Sequence, residues 1–367
     1  GAPSPQSTSG IAGLVYRTVR EAIGLAGWGM DSLLAQLDSL LGEGDPAHDG
    51  GAVRAALNGV LGDHLVATGN PLAIPMHVRH DGRFLHLDAE SIAASVSRPS
   101  GRVAVLVHGL ALSDRHWNRK GHDHGAALAR DLGYTPVYLH YNTGLHISVN
   151  GRAFADLLES LIGQWPTRVE EMVIIGHSMG GLVARSACHY AVLAGREWAQ
   201  RLGKLIFLGA PHHGAPLERG GQWVDLAIAK SPYTEPFTRL GRIRSAGVTD
   251  LRYGNLVDED WEGRDRFEHV GDSRQAVPLP EGVRCFAVAA TTGNRVGDLR
   301  DRVLGDGVVP LSSALGIHEE PHFALPFAPG QRWIGYAMNH LDLLNRQEVY
   351  EQIRDWLSPG AAAAAEQ

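Results

Sequence analysis

The sequence predicts an α/β protein with a mostly parallel central sheet covered by helices on both faces. Strand-like and helix-like stretches alternate from about residue 102 to residue 209, the pattern that crossover connections between parallel strands impose. Two of the strand stretches, Arg102-Val103-Ala104-Val105-Leu106-Val107 and Met172-Val173-Ile174-Ile175, are nearly unbroken apolar runs, as expected where both faces are buried. The second run leads directly into Gly176-His177-Ser178-Met179-Gly180 and then Gly181-Leu182-Val183-Ala184-Arg185. A β-branched run, a serine between glycines and a helix-forming stretch spell strand, sharp turn, helix.

In chain order, residues 1–10 are rich in Ser, Pro and Gly and read as a disordered terminus. From Ile11 to Leu41 the pattern is helical but interrupted by Gly13, Gly24, Gly27 and Gly29, with Leu33, Leu34, Leu37, Leu40 and Leu41 on one face. A glycine-rich break over residues 42–51 precedes a further helical stretch ending near Leu65. These helices are expected to pack against the main domain; the alternative, an interfacial membrane helix, is short of basic residues on its polar face. Asp81-Gly82 between Ile74–Arg79 and Arg83–Asp88 predicts a hairpin. The main alternation then predicts strands near 102–107, 136–141, 171–175 and 204–209, and helices near 122–132, 151–164 and 180–194. Residues 215–281 break the rhythm with Trp223, Trp261, Pro216, Pro232 and Pro236, and the sheet is expected to resume at Val283-Arg284-Cys285-Phe286-Ala287-Val288. The predicted organisation is an N-terminal helical extension over 1–70, a main domain over 71–360 carrying an inserted cap at 215–281, and a disordered tail over 361–367.

The chemistry implied by the serine turn is specific. The turn forces Ser178 into a strained backbone conformation, so the residues two before and two after must lack bulk, which Gly176 and Gly180 satisfy. Gly181 lets the following helix approach the strand. The exposed hydroxyl then sits at a helix N-terminus, where backbone N–H groups and the dipole favour a developing oxyanion. Such a serine needs a general base, an acid to orient that base, and a second oxyanion donor. Downstream lie Gly305-Asp306-Gly307-Val308-Val309-Pro310 and Met338-Asn339-His340-Leu341-Asp342; upstream, His108-Gly109-Leu110 follows the first buried strand.

With those motifs in that order, the chain resembles the bacterial triacylglycerol lipases and esterases of the α/β-hydrolase superfamily. The resemblance rests on His108-Gly109-Leu110, the serine pentapeptide, Gly209-Ala210-Pro211-His212-His213-Gly214, Asp306-Gly307-Val308-Val309-Pro310 and Asn339-His340-Leu341-Asp342, spanning roughly residues 100 to 345. It implies an α/β-hydrolase fold and a serine carboxylester hydrolase, with Ser178 as nucleophile, Asp306 as acid, His340 as base, and the amides of Leu110 and Met179 as oxyanion donors. An inserted cap near the C-terminal edge of the sheet is where such enzymes carry a lid. Trp223 and Leu226 in the insertion, with Trp117 and His177, are candidates to line an acyl pocket, core packing being the alternative for Trp117. Substrates are expected to be esters with an apolar acyl part, small or polymeric. The same triad supports acyl transfer or thioester and amide hydrolysis, and a degenerate ligand-binding relative is the non-enzymatic alternative.

Other candidates compete less well. His116, His122 and His124 look faintly like a metal cluster, but no zinc-type spacing accompanies them. His212 and His213 are expected to shape the site wall. Related secreted lipases use an aspartate after the catalytic histidine as a calcium ligand; Asp342 has that position, or else stabilises the His340 loop. His318 and His322 are rival bases, and Asp298 and Asp301 rival acids, without the surrounding motifs. No metal and no cofactor is expected. A formal charge of −7 and a pI near 6.3 give no electrostatic case for nucleic acid, and no apolar run approaches the ~18 residues of a membrane span. Cys188 and Cys285 read as buried free thiols. A soluble protein is expected, either cytoplasmic or secreted after leader removal, since the chain begins with Gly1.

Overall fold

The computed structural model describes residues 50–215, 245–265, 271–294 and 305–358. The helical stretch predicted before residue 42, most of the predicted cap and the tail lie outside these residues. The described chain runs α1 (Gly50–Ala67), β1 (His77–His80), β2 (Arg83–Phe84), α2 (Ala89–Ser95), β3 (Arg102–Val107), α3 (His124–Leu132), β4 (Thr135–His140), α4 (Ile147–Gly163) and β5 (Glu171–His177). It continues with α5 (Met179–Leu193), β6 (Leu202–Leu208), α6 (Ala246–Asp250), β7 (Arg284–Thr291), α7 (Leu311–Ala314), β8 (Arg332–Tyr336) and α8 (Gln347–Leu357).

The strands form one eight-stranded sheet in the order β2-β1-β4-β3-β5-β6-β7-β8. The hairpin β1–β2 joins antiparallel at one edge, and every pairing from β4 across to β8 is parallel. The strand pleat explains why the inner strands are apolar throughout. Val103, Val105 and Val107 of β3 enter one core, while Ala104 and Leu106 enter the other. β5 divides the same way, with Met172 and Ile174 on one side and Val173 and Ile175 on the other. The first core is closed by α1, α4 and α5 through Leu57, Leu61, Phe154, Leu158, Leu182 and Val183. The second is closed by α3 and α8 through Leu128, Val349, Ile353 and Trp356. Each large apolar side chain so buried contributes roughly 1.5–3 kcal/mol.

The predicted fold class is therefore the observed one, and the central elements fall within a few residues of their expected places. The hairpin is shorter than expected. Asp81 (φ 48°) and Gly82 (φ 74°) form its tight turn. The second arm ends early because Asp88 leaves the strand to cap α2, its carboxylate accepting from the Ser91 N–H at 2.8 Å. Pro75 has no N–H to offer the first arm. The edge strand β8 and the helix α8 were not anticipated. Cys188 and Cys285 are free and buried, and burial pushes the Cys285 thiol up to about 12.

Helix α1 packs into the first core by way of glycines. A methyl group on Gly59 would lie 2.7 Å from Ala111 Cβ, and one on Gly62 would overlap the Asn142 side chain. Arg54 and Asn58 tie the same helix to the carbonyls of residues 71–73, and the Ser245 hydroxyl donates to the Gly59 carbonyl at 2.7 Å. This stretch of the predicted extension is thus integral to the core. Among the described residues, no helix is long and apolar enough to cross a membrane.

Candidate active site

The serine turn is built by exclusion. Ser178 follows β5 and precedes α5, with φ 54° and ψ −127°, a conformation that costs a non-glycine residue about 1–3 kcal/mol. Its surroundings fix it. A Cβ on Gly176 would sit 2.6 Å from Gly181 Cα, and one on Gly180 would sit 2.3 Å from the Val107 carbonyl oxygen. A Cβ on Gly181 would meet Ala210 Cβ at 2.6 Å, so the close approach of α5 to the end of β6 needs that glycine too. The Ser178 N–H donates to the Leu208 carbonyl at 2.9 Å, and the Ser178 carbonyl accepts from Gly181 N–H at 2.9 Å. Met179 is the first residue of α5, so its N–H has no acceptor within the helix.

The loop after β3 lies against this turn. A Cβ on Gly109 would come within 2.9 Å of Ser178 Cβ, so only glycine fits there. Leu110 follows directly. The next N–H groups are engaged: Ala111, itself at φ 58°, donates to Thr143 Oγ1 at 3.0 Å, and Leu112 donates to the Gly109 carbonyl at 3.3 Å. Thr143 and Gly59 thus hold this loop from outside, and sequence reasoning passed over both. They lie 32 and 52 residues from Ala111 in the chain, so no local pattern marks them.

A second assembly comes from the other end of the chain. Asp306 is buried between Gly305 (φ 51°) and Gly307 (φ 91°). One carboxylate oxygen accepts from the N–H groups of Val308 and Val309 at 2.9 and 2.8 Å, and the other meets His340 Nδ1 at 2.6 Å. The His340 N–H also donates to the Asp306 carbonyl at 3.1 Å. A carboxylate accepts only, so Nδ1 carries a proton, and in the neutral ring Nε2 keeps its lone pair. That Nε2 is buried and has no hydrogen-bond partner among the described residues. Asn339 and Asp342 lock the loop reciprocally: Asn339 Oδ1 accepts from Leu341 and Asp342 N–H, and Asp342 Oδ2 accepts from Asn339 N–H at 3.1 Å. Asp342 also pairs with Lys120 at 3.5 Å.

The two assemblies meet around Gly209 and His177. Gly209 follows Leu208, which holds Ser178, and a Cβ on Gly209 would lie 3.0 Å from His340 Cε1. His177 precedes Ser178; its ring centroid is 4.7 Å from that of His340, and its Nε2–H donates to the His340 carbonyl at 3.2 Å. Burial, reinforced by His340, holds His177 well below the ordinary histidine pKa, so it stays neutral. Burial likewise lowers His108 to about 3.

The predicted pocket residues fare differently. Trp117 is a core residue, 1% exposed and edge-on to His124 and His177, packed in the second core with Leu106 and Leu128. His177 is fully buried and braces the His340 loop; it does not line an open pocket. Trp223 and Leu226, like Asp298 and Asp301, lie outside the described residues. His122 and His124 bond each other at 2.8 Å, and His124 Nε2–H donates to the Leu343 carbonyl, while His116 accepts from Ser113. Among the described residues no three metal-ligating side chains cluster. His318 and His322 turn to Glu320. His212 and His213 are bound by arginines, Arg185 and Arg274.

A family profile described as a PGAP1-like alpha/beta domain matches residues 98–270. No curated protein sequence matches the chain. Among solved structures, the mature Bacillus licheniformis lipase BlEst2 is 18% identical, with 72% of this chain and 96% of that one covered and a TM-score of 0.47. The propeptide form of the same lipase is 20% identical, covering 72% and 52%, at 0.48. The Pyrococcus furiosus esterase Pf2001 is 16% identical, covering 70% and 81%, at 0.40. The sheet order β2-β1-β4-β3-β5-β6-β7-β8, with the serine turn after β5, is that of the α/β-hydrolase fold, and the activity has to be argued from the side chains.

Proposed function

We propose that this chain is a serine carboxylester hydrolase using Ser178, His340 and Asp306. The observation that carries the reading is the contact of His340 Nδ1 with Asp306 at 2.6 Å, which leaves a buried, unpartnered Nε2 on a ring packed against His177, the residue before the serine in its strained strand-to-helix turn. A base presented that way takes the serine proton as the alkoxide attacks an ester carbonyl. The oxyanion is stabilised by the amides of Met179 and Leu110, each worth roughly 2.7–4 kcal/mol where hole donors have been removed in other hydrolases. His340, now an imidazolium stabilised by Asp306, protonates the leaving alcohol; water then repeats the cycle on the acyl-enzyme. His177 also keeps a buried, unpartnered lone pair, at Nδ1, but its Nε2–H meets a carbonyl where His340 meets a carboxylate, and burial holds its pKa well below the ordinary value, so it is the weaker base.

Asp342 belongs to this machinery as the residue that fixes the turn carrying His340. An apolar acyl group is the expected substrate element. The test is hydrolysis of p-nitrophenyl esters from acetate to palmitate by the wild type and Ser178→Ala. The reading expects the variant to lose activity by at least about 10⁴-fold with its thermal stability retained. Equal turnover by both proteins overturns it. A short-chain optimum identifies an esterase, and a long-chain optimum a lipase.

A further inference from the structure

A second polar cluster lies about 10 Å along α5 from Ser178, two helical turns on at Arg185. Arg185 is 4% exposed, and its Nη2 donates to the Val277 carbonyl while its Nη1 donates to His212 Nδ1 at 3.2 Å. A second guanidinium, Arg274, donates to the carbonyls of His212 and Tyr253 and to His213 Nδ1 at 2.9 Å, and lies over the Phe323 ring. These side chains line a small, partly open pocket of about 20 Å³, with His322 and Phe323 also on its wall.

The charge left unmatched in this cluster is that of Arg185. Arg274 faces two carboxylates, Asp272 with Oδ2 3.4 Å from its Nε and Asp260, which also accepts from the N–H groups of Leu256, Val257 and Gln275. Among the described residues Arg185 has no carboxylate in ion-pair contact. Donors are also in surplus. Arg185 Nε is buried without a partner. His212 accepts through Nδ1, so its Nε2 carries the proton, and that nitrogen too is buried without a partner at 1% residue exposure. Burial and the neighbouring Arg274 pull the Arg185 guanidinium down to about 10, and burial with Arg185 holds His212 well below its ordinary value. Buried cations and donors of this kind are matched in proteins by an anion or an acceptor.

We propose that this cavity binds one small inorganic anion of halide size, held by Arg185, the His212 Nε2–H and Arg274. The volume has room for a single such species. The anion supplies the negative charge that Arg185 lacks and joins three separate elements: helix α5, the loop after β6, and the segment 271–277 that leads into β7. Its role is to hold that segment against α5, at a distance from the reacting atoms.

The test compares thermal unfolding in sodium chloride and sodium gluconate at equal ionic strength, for the wild type and Arg185→Met. At chloride ten times its Kd, wild-type Tm should exceed the gluconate value by about 2 °C, and Arg185→Met should show no chloride preference. Formate and sulfate in place of chloride read out size, and the larger sulfate should not substitute. Crystals of the wild type soaked in bromide give an independent reading should the variant fail to fold. An anomalous peak between Arg185 and His212 supports the proposal. No chloride preference in the wild type, or bromide absent from the cavity, overturns it.

Discussion

The two halves of the candidate site are held by different physics. On the serine side, Gly176, Gly180 and Gly181 leave room that a single methyl group would fill, and contacts of 2.3–2.6 Å would result from adding one. That side is fixed by steric exclusion at three glycines within six residues of sequence, which meet Gly181, Val107 and Ala210. On the histidine side, Asp306 and His340 lie 34 residues apart and are joined by hydrogen bonds of 2.6 and 3.1 Å, with Asn339 and Asp342 closing the turn. Exclusion makes the nucleophile's position stiff and intolerant of added atoms. Hydrogen bonding makes the base's position tolerant of shape but sensitive to charge and protonation.

The largest expected effect separates the halves chemically. Asp306→Asn keeps the shape of the carboxylate while presenting an N–H donor, which favours the wrong His340 tautomer. kcat for ester hydrolysis should fall about 10⁴-fold, as for the corresponding change in other triads, with little change in Tm. A loss below tenfold would mean that Asp306 does not set the tautomer.

Gly180→Ala attacks the other half. Its new methyl lies 2.3 Å from the Val107 carbonyl oxygen and 2.6 Å from that of His108, so backbone must move. Stability should fall by about 1–3 kcal/mol and kcat by about 10²-fold as the serine shifts, read by denaturant unfolding beside kinetics. A variant as stable and active as the wild type would show that the turn is looser than its contacts indicate.

The last effect is a pH dependence, read on the histidine side at His124. His124 donates through Nε2 to the Leu343 carbonyl, in the turn that begins at His340, and burial lowers its pKa to about 4. The unfolded chain, with a histidine pKa near 6.5, binds a proton that the folded chain refuses. This contribution is therefore intact above pH 6.5 and is lost as pH falls toward 4, at about 1.4 kcal/mol per pH unit. His124→Gln should flatten the stability–pH slope in that window by one proton. An unchanged slope would mean that His124 is protonated in the folded protein.

The same contrast decides what was legible in the sequence. The serine turn could be read because steric demands on neighbouring residues leave a local glycine pattern, and the two-sided burial of β3, β5 and β6 leaves unbroken apolar runs. The Asp306–His340 pairing had only order and short motifs to mark it, since nothing local ties two loops across the sheet. β8 escaped notice because Arg332-Trp333-Ile334-Gly335-Tyr336 is a half-exposed edge with a glycine in its interior. α8 carried a readable signal, with Val349, Ile353, Trp356 and Leu357 on one face. For Trp117 the sequence leaves both readings open, since nearness to Leu110 suggests the site and its bulk suggests the core; the indole lies in the core with His124. Thr143 and Gly59 act on the Leu110 loop only through the tertiary fold.

The central claim is that Ser178 is a nucleophile activated by His340, and covalent labelling tests it most directly. The native protein is treated with a fluorophosphonate and the adduct is mapped by peptide mass spectrometry, beside Ser178→Ala and Asp306→Asn. The account predicts one adduct, on the peptide containing Ser178, absent from the first variant and formed far more slowly in the second. Labelling at another residue, or a folded wild type that takes up no label, would contradict it.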